Sequence, residues 1–328
     1  MSAMKSTEFM LNLTRRLVEE RKVAESTASA YIRSLRILNG KKEFKTLTFL
    51  KDKEGIDKKI GEYAESTQKA LYATLVSVLQ FNKDQPTYKK AYAHYYDKMM
   101  GKVKEAREVD TSVKTEKEEN NWIEWKDVKQ KHEELGKGVA EFAANKMILD
   151  EEFTILLHYL ILSLYTEIQP RRNQDYLNMF VVKKWKEDMD DSRNYLDLAS
   201  HQFIFNKYKT QKTYGQQKVS IPLPLMTVVM TYLKFHPLNK GSKTKLGEYS
   251  FLVFPDGKPL TALNAITRIL NRIFGKNVGS SMLRHSFLSS KYGEVLEQQK
   301  EDSVGMGHDL NTQRSYIRSN SEISIPVV

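Results

Sequence analysis

Cysteine is absent from all 328 residues. That removes thiolate nucleophiles, disulfides and cysteine-built zinc sites. The seven histidines are scattered, with no HExxH or similar spacing, so neither a metal site nor a bound cofactor is expected. Nowhere do about 18 uncharged apolar residues run together. The opening MSAMKSTEFMLNLTRR lacks the apolar stretch of a secretory signal. A soluble, intracellular protein with no membrane partner is therefore expected; nothing separates nucleus from cytoplasm. Internal repeats and low-complexity blocks are also missing, which excludes solenoids and disordered tracts.

What is abundant is positive charge: 52 Lys and Arg against 41 Asp and Glu, a net +11. Such a balance suits an anionic partner, and nucleic acid is the commonest. The length suggests about two domains. Over residues 1–118, 24 basic residues stand against 17 acidic ones, so this third of the chain carries more than half of the excess. Phe9, Leu13 and Leu17 recur at helical spacing, as do Leu71, Leu75 and Leu79. Ser26 or Thr27 can cap a helix that Gly40 ends, and Ser66 or Thr67 can cap the Leu71 helix. A short element near 47–59 and a tyrosine-rich helix after Pro86 complete a small helical bundle. Its exposed basic residues, Arg15, Arg16, Lys41, Lys42 and Lys45, are candidates for contact with phosphates. Residues 101–121 are highly charged and poor in apolar side chains, as in a solvated linker, which puts the domain boundary near 118.

The segment 119–328 opens with helical patterning from Trp122 to about Leu164. A polar interruption, TEIQPRRNQDYLNM, follows. Then come NYLDL, QFIFNKYKT and QQKVSIPLP, read as short strands, the last two joined by a turn at Tyr214 and Gly215. From Leu225 to the end the pattern is helical again. The fold class expected is mainly α (α+β), with one small antiparallel sheet in the second domain.

Five polar residues fall near the boundaries of these elements. Arg172 lies three residues ahead of Asp175, which can orient a guanidinium from one helical turn away; Arg171 is the alternative. Lys209 is placed on the strand before the Tyr214 turn, with Lys212 as its alternative. Arg284 sits in SSMLRHSFLSS with Leu283 and Phe287 turned to a core. His308 precedes Tyr316 by eight positions in GMGHDLNTQRSYIRSN. A phenol with a pKa near 10 is a poor nucleophile unless positive charge surrounds it.

This order of residues resembles the tyrosine recombinase (phage integrase) family, over about residues 120–320. LRHSF at 283–287 and MGH at 306–308 carry the resemblance best, and PRRNQDY is similar to recombinases of large DNA viruses. The resemblance implies a DNA-clamping core-binding domain in residues 1–118 and a catalytic domain beyond. It implies that Arg172 and Arg284 clamp a DNA phosphate, Lys209 protonates the leaving oxygen, His308 assists, and Tyr316 forms a 3′-phosphotyrosyl bond without cofactor. The partners implied are double-stranded DNA and, on paired sites, a homotetramer assembled from free monomers. A type IB topoisomerase and a catalytically silent DNA-binding relative are the alternatives. Two departures stand out. Ser281 occupies the first position of the family's H-x-x-R box, and the His308 to Tyr316 interval is about one residue short, which a tight turn at 309–311 can absorb. His285, beside Arg284, is given a structural or supporting role. The apolar tail residues Ile323, Ile325, Val327 and Val328 are expected to pack into a groove of a neighbouring copy.

Overall fold

The computed structural model describes residues 2–108, 113–239 and 249–318, with side chains from residue 7 onward. The expected docking of Ile323, Ile325, Val327 and Val328 lies outside these residues. The chain divides into two compact units, Met1–Val113 and Lys114–Val328. The fold is mainly α with a small mixed sheet, an α+β arrangement.

The first unit contains α1 (Ser2–Glu19), α2 (Glu25–Leu38), a 3-10 turn at Thr48–Lys51, α3 (Lys53–Gly61), α4 (Glu65–Leu79) and α5 (Pro86–Glu108). The stripes read from the sequence form its core: Leu13 and Leu17 meet Leu35, Leu38, Leu71, Leu75 and Leu79, with Phe9 packed at the edge. The caps differ from expectation. Ala24 and Ala64 occupy the N-cap positions without side-chain caps, so Ser26, Thr27, Ser66 and Thr67 lie within the first turns. There Glu25 and Glu65 offset the positive helix end by charge instead. Inside the bundle Asp57 accepts from the Tyr72 hydroxyl at 3.1 Å and bonds the His94 ring at 2.8 Å, tying α3 to α4 and α5.

The expected linker is a correction. Residues 101–108 continue α5, and Glu116–Asn121 form α6. Lys, Glu, Ala and Arg are strong helix formers, so this charged stretch, which lacks proline, extends the helix through Gly101. A capping box starts α6, in which the Thr115 hydroxyl accepts from the Glu118 backbone N–H and the Glu118 carboxylate accepts from that of Thr115.

The second unit continues with α7 (Trp125–Ala140), α8 (Asp150–Thr166), α9 (Gln174–Leu177), β1 (Met179–Val182), β2 (Asn194–Asp197), β3 (Gln202–Phe205), α10 (Gln211–Tyr214), β4 (Gln217–Ser220), α11 (Leu223–Phe235), β5 (Tyr249–Ser250), α12 (Ala265–Phe274), α13 (Ser280–Gly305) and α14 (Leu310–Tyr316). Helix α8 runs through the centre and is apolar nearly all round, with Leu156, Leu157, Leu160, Ile161, Leu162, Leu164 and Tyr165 all buried, as a helix covered on every side must be. Helices α7, α11 and α12 cover it.

The sheet has five strands in the order β4-β3-β2-β1-β5, and it is mixed where an antiparallel one was expected. Strand β1 pairs parallel with β2, Met179 opposite Asn194. β1 and β2 are buried almost throughout. The apolar run of β1, MFVV, therefore lacks the alternation that marks a half-exposed strand. The C-terminal third is not helical throughout either: β5 and a bridge between Val253 and Pro259 interrupt it. The predicted turn at Tyr214 is the end of α10, and Gly215 leaves it at φ 66°, a left-handed backbone that favours glycine.

His236 shows how this core is poised against acid. Its ring is fully buried, Nδ1 accepts from the Leu238 N–H at 3.2 Å, and Nε2 donates to the Phe251 carbonyl at 3.2 Å. A second proton would have to face the Leu238 N–H. Burial accordingly lowers its pKa from 6.5 to about 4. Between those values the unfolded chain binds a proton and the folded one does not, so this stability is complete above pH 6.5 and is lost as pH falls toward 4. The loss expected is about 3 kcal/mol. Urea midpoints at pH 7.5 and 4.5 measure it, and His236→Gln should flatten the difference; equal wild-type midpoints would contradict the assignment.

Candidate functional site

The polar interruption after α8 is held rigidly by a buried asparagine. Asn173 Oδ1 accepts from the Tyr165 hydroxyl at 2.5 Å, and its Nδ2 donates to Thr267 Oγ1 at 2.9 Å. The loop is thus pinned to α8 and α12. A second buried amide, Asn194, ties the loop to the β3–β4 connection. Its Nδ2 donates to the carbonyls of Asp175 and Lys207, while its Oδ1 accepts from the backbone N–H groups of Asn206 and Lys207. Both donors and both lone pairs of that amide are used, which makes it a rigid joint.

Between these anchors lies a cavity of about 200 Å³ whose lining includes Arg171, Arg172, Asp175, Tyr208, Gln217 and Arg284. The predicted first arginine, its acid and the second arginine are therefore brought together across more than 100 residues of chain. The pairing within the group differs from expectation, because Asp175 engages Arg171 and not Arg172. Arg171 Nε donates to Asp175 Oδ2 at 2.9 Å and its Nη1 to Gln217 Oε1 at 2.8 Å. Its guanidinium lies 3.8 Å from the ring centre of Phe205 and 5.2 Å from that of Tyr208. The Asp175 N–H donates to the Arg172 carbonyl at 3.0 Å, so the expected turn is present in the backbone, but the carboxylate's hydrogen bond and ion pair are with Arg171.

Arg172 and Arg284 are half-buried. Among the described residues neither guanidinium has a hydrogen-bond or ion-pair partner. Two such cations beside a third form a site ready for an anion with several oxygens. Burial pushes the Asp175 carboxyl up, against the lowering influence of Arg171, by charge and hydrogen bond, and of Arg172 and Arg284 by charge. Its Oδ1 is buried without a partner.

Lys209 is placed differently from the expectation. Strand β3 ends at Phe205, so Lys209 stands exposed on the turn that follows, while its neighbours Tyr208 and Thr210 line the cavity. Lys212 is exposed on α10. Ser281 is exposed in the first turn of α13, three residues ahead of Arg284, and so on a neighbouring part of the helix surface. His285 Nδ1 lies 3.1 Å from Glu118 Oε1, binding α13 to α6.

Helix α13 ends at Gly305. Gly307 then turns the chain at φ 71°, and Asp309 caps α14 by accepting from the Thr312 N–H at 2.8 Å. The connection from α13 to the helix that carries Tyr316 is therefore compact. The ring of Tyr316 meets that of His308 edge-on, with centres 5.7 Å apart. His308 Nε2 is shielded from solvent and has no hydrogen-bond partner, while Tyr316 is 67% exposed. Neither residue is among those lining the cavity of the arginines.

In the first unit, Arg16 is committed to Glu20 at 2.7 Å and covers the Phe81 ring at 4.3 Å, and Arg15 bonds Asn12. Lys41, Lys42 and Lys45 are exposed. The residues that reading the sequence missed are Asn173, Asn194, Tyr208 and Gln217. Only Asn173 had a local signal, its place beside the two arginines. Compared with known protein families, curated proteins and solved structures, the chain matches none.

Proposed function

We propose that this protein cleaves and rejoins DNA strands by way of a 3′-phosphotyrosyl intermediate, in the manner of tyrosine recombinases. The observation that carries the reading is the pair of unpartnered, half-buried guanidiniums of Arg172 and Arg284 on one cavity. Attack on a phosphodiester loads charge onto its two nonbridging oxygens. Arginine forks placed there beforehand stabilise that charge more than the ground state. Tyr316 Oη bonds to phosphorus as the P–O5′ bond breaks. The departing 5′ oxygen takes a proton from Lys209, and the phenol proton passes to His308 or to water. His308 Nε2, buried and unpartnered beside the Tyr316 ring, is available to take that proton or to hydrogen-bond the phosphate. The phosphotyrosyl bond retains the energy of the broken one, so a 5′ hydroxyl can reverse the step.

The partner in this reading is duplex DNA, held also by exposed Lys41, Lys42 and Lys45, with four copies assembling on paired sites. The test is a labelled duplex nicked beside the scissile position, so that the cleaved end diffuses away. A denaturant-resistant protein–DNA adduct is expected. Tight binding with no adduct would leave a catalytically silent DNA-binding protein, the outcome that Ser281 in place of histidine favours. Binding should also depend steeply on salt. If about six phosphates are neutralised, affinity falls by about 10³ or more between roughly 50 and 200 mM salt. A flat titration would contradict a phosphate-tracking clamp.

A further inference from the structure

Arg171 has the form of a latch. It belongs to the loop that carries Arg172, yet among the described residues every side-chain hydrogen bond and ring contact it makes but one lies on the strands and connection that carry Lys209. Its Nη1 donates to Gln217 at the start of β4, its face covers Phe205 at the end of β3, and Tyr208, next to Lys209, lies against it. The remaining contact, with Asp175, holds it to its own loop. The connection is closed on itself by the Tyr208 hydroxyl donating to the Gly215 carbonyl at 2.8 Å and by Gln216 donating to Asn206 at 2.7 Å. These bonds make it one closed unit, and Asn194 anchors its base at Asn206 and Lys207. Beyond that base, Arg171 and Gln217 hold the segment toward the arginine cavity.

We infer that Arg171 is a positioning residue that fixes the Lys209 turn relative to the phosphate clamp, rather than a member of the clamp. The inference rests on the proposed strand-cleavage reading. It separates two roles for adjacent arginines: Arg172 meets the phosphate, and Arg171 delivers the acid. A planar, always-charged fork that lies over the Phe205 ring and donates to Asp175 and Gln217 from separate nitrogens suits this use better than the single ammonium nitrogen of lysine.

The test uses the leaving group. With sulfur in place of the bridging 5′ oxygen, the departing thiolate needs no proton, because a thiol has a pKa near 8.5 whereas water and simple alcohols lie near 15 to 16. Loss of a correctly placed acid is then masked, and loss of the phosphate clamp is not. On ordinary nicked DNA, Lys209→Ala, Arg171→Lys and Gln217→Leu should each slow adduct formation by roughly tenfold or more, a share of the 10²–10⁴ that general acid catalysis supplies. On the sulfur-bridged duplex all three should return to within about threefold of wild type, while Arg172→Ala stays slow on both. Gln217→Leu removes one end of the latch without touching Arg171, so a folding defect peculiar to Arg171→Lys cannot decide the matter. Arg171→Lys remaining slow on sulfur-bridged DNA would make Arg171 part of the clamp and overturn the inference. So would wild-type speed of both latch variants on ordinary DNA, or failure of Lys209→Ala to recover. If the wild-type protein forms no adduct on either duplex, the cleavage reading itself falls and the latch with it.

Discussion

Tyr316→Phe is expected to form no covalent adduct with nicked DNA and still to bind intact duplex within a few fold of wild type. The substitution removes one oxygen from a ring that is 67% exposed on the last turn of α14, so no buried hydrogen bond is lost and folding is untouched. Without the phenol oxygen, no bond to phosphorus can form at this position. Because covalent catalysis through one nucleophile is all or nothing, the expected effect is loss of signal to background, well beyond a thousandfold in rate. Gel separation under denaturing conditions reads it directly. Persistent adduct would move the nucleophile elsewhere, with Tyr292 and Tyr214, both exposed, the next to replace.

Arg284→Ala and Arg172→Ala should each slow strand cleavage by about 10²–10³, the usual loss when one preorganised donor to a developing oxyanion is removed. The stability outcome separates this from a folding effect. Neither guanidinium has a partner among the described residues, and three arginines crowd one cavity, so removing one relieves repulsion. The urea midpoint should stay level or rise, the trade expected where a site is built for a ligand and not for the free fold. Arg171→Ala should behave oppositely in stability: it leaves the buried Asp175, only 3% exposed at its side chain, without its ion pair, a change that typically costs about 3–5 kcal/mol. Cleavage kinetics beside urea titrations of the three variants check both halves. A drop in midpoint for Arg284→Ala as large as for Arg171→Ala would contradict the division of roles.

Chemistry and packing differ in how far they can be read along the chain. The Leu13, Leu17, Leu71, Leu75 and Leu79 stripes are core because helical spacing puts them on one face, and burying that face is the main gain open to a short helix. The mainly helical class follows from local patterns, whereas the placement of Arg172 and Arg284 at one site was an expectation of the family resemblance and not of any local pattern. Strands β1 and β5 were not legible. The one is an apolar run without alternation and the other only two residues long, and each is a strand only because a partner lies beside it.

By itself the amino-acid sequence determined composition, charge, the helical periodicities and the set of groups that chemistry could draw on: no thiol, an excess of arginine and lysine, and a tyrosine eight residues after a histidine. Tertiary structure alone decided which group each cation meets. Asp175 is one backbone turn from both arginines in sequence, yet it pairs with Arg171, because Phe205, Tyr208 and Gln217 arrive from β3, the connection and β4 to surround that guanidinium and no other. The physical reason is that a guanidinium's partners are chosen by desolvation and stacking as much as by proximity along the chain. Those surroundings are assembled from residues more than 30 positions away, which no local pattern contains.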